Sequence, residues 1–157
     1  MDTVALQAAL DEIFDFALVF HAYTDYMRDY EALIYIPITP TTTEPVNLRY
    51  VFKYCVEAHV STAVSPKTWQ TSLDDSLLGD PEQAVDGFVW GVRWQNLYPG
   101  AEIIVDSAKA REWSAALGID FHEVRITTEA QVLSLVFSDL EVSEVPVGYA
   151  PFAVSEG

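Results

Sequence analysis

The longest regular pattern in the sequence is an alternation of apolar and mixed side chains from Leu48 to Val60. One parity is apolar throughout and includes Tyr50 and Phe52, whereas the other carries all of the charged residues. A period of two residues places successive side chains on opposite faces of a β-strand. The pattern therefore predicts one long strand over Leu48–Val60, with one face packed against a core.

Three segments have the apolar spacing and the end residues of helices. Apolar residues recur every three or four positions from Leu6 to Ala17, preceded by Asp2 or Thr3 as a cap. Ser65 followed by proline indicates a second helix start. A third helix is predicted from about Ser107 to Leu117, where Gly118 provides a stop.

The remaining apolar segments are typical of strands. They are Met27–Ile38, Phe88–Leu97, the short Ala101–Val105, and a hairpin of Asp120–Thr128 with Gln131–Val142. The stretch 18–25 is ambiguous, and 146–157 is predicted as an extended tail. This order is not the regular alternation of a parallel α/β fold. It predicts one α+β domain over residues 1–157: a mainly antiparallel sheet of about five to six strands, with two to three helices packed on one face.

Charge limits the partners that such a domain can bind. The 157 residues include 24 acidic and 8 basic side chains, for a formal net charge of −16. Nucleic acids and anionic membranes bind through basic residues, so neither is expected as a partner. A basic protein is favoured instead, although solubility alone is an alternative explanation of the charge. With one cysteine and no apparent signal peptide or membrane span, the expected location is the cytoplasm.

The sequence has no motif that identifies a reaction. It lacks a glycine-rich phosphate loop, GxSxG, HExxH and CxxC, and no two histidines have metal-ligand spacing. We therefore predict no catalytic residue, cofactor or metal, and we interpret Cys55 as a packed side chain. His21 and Asp25 would share a face only in a helix, where an acid/base pair is conceivable. The alternative is a polar residue at a helix-to-strand junction.

The alternation of side chains along the predicted strands places half of the basic residues on one face of the sheet. Four of the eight basic residues would lie there if the strands are neighbours. One interpretation is a binding face for an anionic ligand or a partner, and the other is a solvated face with cross-strand ion pairs. The residues of this predicted face are Arg49, Lys53, Glu57, Arg93, Gln95, Glu123 and Arg125.

Several segments together resemble a known family. They are ALQAALDEIFD, FHAYTDYMRDYE, LRYVFKYCVEA, WGVRWQNLYPG, GIDFHEVRI and LVFSDLEVSEVPVGYAPF. The chain is similar to the YxiG-like family of uncharacterised bacterial proteins, common in actinobacteria, from residue 2 to about 154. The resemblance implies a single domain and brings no catalytic residues with it. The namesake's gene lies near a toxin and immunity genes, which implies a role in conflict between bacteria.

Two functional hypotheses follow. The first is a non-enzymatic, acidic protein-interaction domain, immunity-like or an inhibitor in a bacterial conflict system. The alternative is a domain that binds a small anionic ligand, or an enzyme, with its site on the open sheet face near Arg49, Lys53, Arg93 and Arg125.

Overall fold

The fold is described from a computed structural model. It describes residues 2–24, 26–38, 40, 43–74, 84–85, 88–89 and 95–150. The helices are α1 (Thr3–Asp11), α2 (Pro66–Ser72) and α3 (Ala108–Leu117). The strands are β1 (Ala17–Thr24), β2 (Asp29–Ile36), β3 (Val46–Lys53), β4 (Glu57–Thr62), β5 (Ala84–Val85), β6 (Phe88–Val89), β7 (Gln95–Asn96), β8 (Gly100–Ile103), β9 (His122–Thr127), β10 (Gln131–Phe137) and β11 (Asp139–Pro146).

These strands form two main sheets in which every described pair is antiparallel. The large sheet has the order β11-β3-β2-β1-β7, and the small sheet has the order β4-β10-β9-β8. Strands β5 and β6 form a separate two-stranded ribbon. The prediction of an α+β fold with antiparallel pairing and two to three helices is therefore confirmed within the described residues, with the strands divided between two sheets.

Each helix begins at a polar residue that satisfies a free backbone amide. The carboxylate of Asp2 accepts a hydrogen bond from the Ala5 amide, at 2.8 Å. The Ser65 and Ser107 hydroxyls accept from the third amide that follows each of them. Helix α3 ends at Gly118, whose φ of 73° is left-handed. These contacts confirm the predicted starts and the predicted stop, because each cap is a local interaction.

The main core lies between the two sheets and α1. Phe52 of the large sheet packs edge-on against Phe137 of the small sheet, with ring centroids 4.9 Å apart. Leu6 and Leu10 of α1 belong to the same buried cluster. A second cluster lies on the other face of the small sheet, where Phe121 and Val136 pack beside α3. The small sheet is thus covered on both faces.

The first helix is shorter than predicted. Helix α1 ends at Asp11, and the chain turns at Asp15, where φ is 64°. The amide of Asp15 donates to the carbonyl of Leu97, so a contact distant in sequence ends the helical segment. Ala17 then opens β1, which resolves the ambiguous stretch 18–25 as a strand as far as Thr24.

The predicted single strand Leu48–Val60 is wrong, because it is two strands in two sheets. Strand β3 ends at Lys53, and Tyr54 has a left-handed φ of 51°. The Tyr54 amide donates to the Asp29 carboxylate, and the Cys55 amide donates to the Arg28 carbonyl. These bonds turn the chain out of the large sheet, and it resumes as β4 in the small one.

Other predictions are confirmed only in part. Of the strand predicted over Phe88–Leu97, the ends are extended as β6 and β7, and residues 90–94 lie outside the described part. The hairpin of β9 and β10 is confirmed, but the second predicted strand is divided at Ser138 into β10 and β11. Strand β11 reaches Pro146, so the predicted tail begins there, and its last seven residues are not described. None of the described helices is long and apolar enough to cross a membrane.

Candidate functional site

The first part of the predicted face lies on the outer face of the large sheet, away from the main core. Arg49 and Lys53 each pair with a buried carboxylate on the neighbouring strand β2. The Arg49 Nε lies 2.8 Å from Glu31 Oε2, and the Lys53 Nζ lies 2.8 Å from Asp29 Oδ2. Both carboxylate side chains have no solvent exposure, whereas the two cations keep 22%. The two basic residues therefore neutralise internal acids.

The two buried carboxylates differ in how well they are satisfied. Burial raises the pKa of Asp29, but hydrogen bonds from Lys53 and the Tyr54 amide, with the charges of Lys53 and Arg28, outweigh it and hold the pKa below its usual value. Glu31 has its bond from Arg49, but its second oxygen Oε1 has no hydrogen-bond partner within the described structure. Glu31 therefore depends on one cation.

The second part of the predicted face lies on the α3 side of the small sheet. Glu57 on β4 accepts a hydrogen bond from the Trp113 indole at 2.8 Å, and Glu123 on β9 accepts one from Ser107 at 2.8 Å. The bond from Trp113 and a second from His59 lower the pKa of Glu57. Arg125 shares this face and is exposed. These acids hold α3 against the sheet.

The predicted residues do not share one sheet face. Strands β3 and β9 belong to different sheets, so Arg49 and Lys53 lie apart from Arg125. Arg93 is outside the described residues. Gln95 lies on the edge strand β7, where it accepts a hydrogen bond from Thr128. The single basic face is therefore wrong for the described members, and a binding role of these residues stays a prediction.

The acid/base pair of His21 and Asp25 required a helix at this position, and the structure has a strand there. His21 lies on strand β1, and Asp25 is outside the described residues. The His21 ring instead contacts the Tyr30 hydroxyl at 2.7 Å and Gln131 Oε1 at 3.1 Å. Within the described ranges, no group of three or more His, Cys, Asp and Glu side chains could hold a metal ion.

Sequence reasoning missed an apolar groove between the turn joining β1 to β2 and the end of α3. We call this surface the apolar groove, and its volume is about 400 Å³. Its apolar side chains are unusually exposed: Met27 by 72%, Leu117 by 55% and Ile119 by 44%. The lining residues are Met27, Arg28, Tyr54, Cys55, Val56, Leu117, Ile119 and Phe121.

Backbone strain is concentrated beside this groove. Five described residues other than glycine have a positive φ, and three of them are Tyr26, Met27 and Tyr54. Bulky side chains rarely adopt this conformation, which costs about 1–3 kcal/mol for each residue. Tyr26, next to the groove, is fully exposed. Strain of this kind persists where the surrounding structure imposes it, and it clusters at functional sites.

The described lining of the groove includes a cysteine, Cys55, and one cation, Arg28. Burial raises the pKa of the Cys55 thiol to about 11, so the sulfur is a protonated packing group at neutral pH. This agrees with its interpretation as a packed side chain. The Arg28 guanidinium lies 5.2 Å from the centre of the Tyr54 ring, a cation-π contact.

One feature of the sequence agrees with the groove once the positions of the turn and the helix end are known. Tyr26 and Met27 stand at a hairpin turn, where Gly, Asn and Asp are the usual residues. Leu117 and Ile119 flank the glycine that ends α3, where a helix meets solvent. Bulky apolar residues at both places are unexpected for a surface whose only role is to contact solvent.

Comparison with known proteins gives one finding about ancestry. Among curated proteins, none matches this chain. The model of the family described as YxiG-like protein matches residues 2–155, which is nearly the whole chain and agrees with the resemblance noted in the segments. The chain therefore belongs to the YxiG-like protein family.

Proposed function

We propose that this chain is a non-enzymatic protein-interaction domain of the cytoplasm that binds a basic partner protein at the apolar groove. In a bacterial conflict system this would be the role of an immunity protein or an inhibitor. The observation that carries the proposal is the group of exposed apolar side chains around one groove in a strongly acidic chain.

The composition of the groove supports protein binding. Met and aromatic residues are enriched at the centres of interfaces, where a few buried side chains supply most of the affinity. Met27 and Tyr54 are of these types, and both are solvent-exposed in the free chain. Contiguous exposed apolar surface is uncommon on soluble monomers and marks interaction sites. Burial of a fully exposed large apolar side chain contributes about 1.5–3 kcal/mol, so a partner that covers Met27, which is 72% exposed, would gain about 1–2 kcal/mol there.

The net charge favours a basic partner over a second copy of the chain. Two copies of charge −16 repel each other as they approach, which disfavours self-association. A basic protein is attracted over long distances, and this raises its association rate at low salt. The apolar groove then supplies short-range affinity, and the net charge of the chain supplies selectivity.

The alternative of an anionic ligand on the large sheet has weaker support. Arg49 and Lys53 already lie 2.8 Å from buried carboxylates, so a ligand would have to compete with Glu31 and Asp29 for them. An anion would also have to enter a strongly acidic surface. These contacts favour ion pairs within the chain as the role of the two residues.

The test uses the strained turn. Asparagine accepts a positive φ more readily than tyrosine or methionine. The double variant Tyr26→Asn/Met27→Asn should therefore fold at least as stably as the wild type while losing apolar contact area. Ile38→Asn is the matched control, since Ile38 is 62% exposed and lies just beyond the other end of β2.

The wild-type chain and each variant are co-expressed with the neighbouring genes. For any protein that co-purifies, the Kd of its complex with the wild type and with each variant is measured. We expect a basic partner whose affinity falls at least tenfold in the double variant, about 1.4 kcal/mol, and stays unchanged in the control. A partner bound equally by all three proteins would exclude the groove. If none of the purified products of the neighbouring genes binds the chain, and the chain itself stays monomeric, the interaction role is contradicted.

A further inference from the structure

A second cavity lies between the two sheets, on the side of β1 that faces β7 and β10. It consists of two adjoining hollows of about 370 and 210 Å³ that share Gln95 and Gln131. Among the described residues, none lines both this cavity and the apolar groove. We call it the carboxamide cleft, and its lining residues are Leu18, Val19, Phe20, His21, Val60, Ser61, Thr62, Val64, Trp69, Gln95, Ala130 and Gln131.

A chain of hydrogen bonds fixes the orientation of Gln131. The Gln131 Oε1 atom is 3.1 Å from His21 Nε2, so this ring nitrogen carries the proton and donates. His21 Nδ1 then accepts from the Tyr30 hydroxyl at 2.7 Å. Burial raises the pKa of Tyr30 to about 12, so its hydroxyl, already protonated at neutral pH, keeps its proton well into the alkaline range. The side-chain oxygen of Gln131 is therefore occupied by a hydrogen bond within the protein.

The carboxamide oxygen of Gln95 is also held by a hydrogen bond within the protein. The Thr128 hydroxyl, itself buried, donates to Gln95 Oε1 at 2.8 Å. The NH₂ groups of Gln95 and Gln131 have no hydrogen-bond acceptor among the residues that the structure describes. Each NH₂ has two protons to donate, so these groups need water or a ligand as acceptor. The cleft thus offers two positioned donors.

The rest of the lining selects against charge and for a flat apolar surface. None of the 12 described lining residues is Asp, Glu, Lys or Arg, although these four types are 20% of the chain. Trp69 is 47% exposed, and its indole N–H donates to Thr62 Oγ1 at 2.8 Å, which fixes the ring. An aromatic ring beside a few positioned polar groups is a common design of small-molecule sites.

We propose that the carboxamide cleft binds a neutral, polyhydroxylated small molecule of the sugar class, whose hydroxyl oxygens accept from Gln95 and Gln131 while its C–H face lies on Trp69. A charged ligand would find no Asp, Glu, Lys or Arg in the described lining as a counter-charge. A purely apolar ligand would leave the NH₂ groups without acceptors, at a cost that disfavours binding. This site is independent of the partner proposed for the apolar groove.

The experiment is a titration followed by NMR, with glucose and N-acetylglucosamine as probes. The side-chain NH₂ signals of Gln95 and Gln131 and the indole signal of Trp69 should shift saturably. A molecule of this size is expected to bind with a Kd on the order of 1 mM. Trp69→Ala should weaken binding at least tenfold, and Gln95→Glu should do the same because it replaces a donor with an acceptor.

Leu73→Ala is the matched control, since Leu73 follows Trp69 by one helical turn, is 72% exposed and does not line the cleft. It should bind both sugars as the wild type does. Absence of saturable shifts up to roughly 50 mM sugar would overturn the proposal. The proposal would also be overturned if folded Trp69→Ala bound the sugars as tightly as the wild type. Larger saturable shifts with N-methylacetamide than with the sugars would overturn it too, because they would identify the cleft as an amide site.

Discussion

Removal of the Arg49 guanidinium tests whether the outer face of the large sheet is solvated or internally paired. On a solvated face, Arg49→Ala would change the free energy of unfolding by about 0.5 kcal/mol or less. The structure gives a different expectation. Glu31 is fully buried, and Arg49 is the one donor within hydrogen-bonding distance of its carboxylate in the described structure.

Truncation of one partner of a buried ion pair leaves an uncompensated charge and costs about 3–5 kcal/mol. Arg49 keeps 22% exposure, so water can reach the space that it vacates, and the lower end of this range applies. We therefore expect Arg49→Ala to lower the free energy of unfolding by about 3 kcal/mol. For a chain of this length, such a loss corresponds to a decrease in Tm of roughly 6–12 °C.

The assay is urea unfolding at pH 7 followed by tryptophan fluorescence. Arg125→Ala is the matched control, because Arg125 is also an arginine on a strand but is exposed. Glu31→Gln on the Arg49→Ala background should recover part of the loss, since a neutral amide costs less to bury than a carboxylate. Equal, small losses for Arg49→Ala and Arg125→Ala would refute the reasoning.

Three further outcomes are expected. Because the pKa of Cys55 is about 11, a maleimide at pH 8 should modify the native thiol roughly 100-fold more slowly than the thiol in urea. Because the pKa of Asp29 lies below its ordinary 3.8, this carboxylate contributes stability that is complete above about pH 3.8 and is lost on further acidification. The difference in unfolding free energy between wild type and Asp29→Asn should therefore shrink below that pH in acid titrations. Gly118→Ala should destabilise the chain by about 1 kcal/mol in urea, since a Cβ there meets no atom within 4 Å and only the φ of 73° is unfavourable.

Local chemistry is what the sequence predicts best. Ser65 and Ser107 cap helices because each hydroxyl reaches an amide three residues later, and this needs no knowledge of the fold. Antiparallel pairing follows in the same way from the β9–β10 hairpin, whose strands are joined by a tight turn. The fold class was therefore accessible from residue patterns.

Sheet membership was not accessible, because it depends on contacts between distant residues. Tyr54 interrupts an alternation that is unbroken in the sequence, and β4 then resumes on the same parity. The break is stabilised by bonds to Arg28 and Asp29, about 25 positions earlier. A prediction from periodicity alone therefore joins β3 and β4 and places their charges on one face.

The apolar groove was hidden for the same reason. Its walls come from Met27, Tyr54 and Leu117, which lie in three separate segments of the chain. Each residue by itself is typical of a core, and only the fold leaves the three exposed together. The pairing of Arg49 with Glu31 likewise needs the register of β2 against β3.

Amide hydrogen exchange of the chain in complex with the proposed basic partner tests the central claim most directly. If the apolar groove is the interface, the partner should slow exchange at the turn that carries Met27, at Tyr54 and at Ile119. Exchange on the outer face of the large sheet, around Arg49, should be unaffected. Protection confined to that outer face, with unchanged exchange at the three groove positions, would contradict the account.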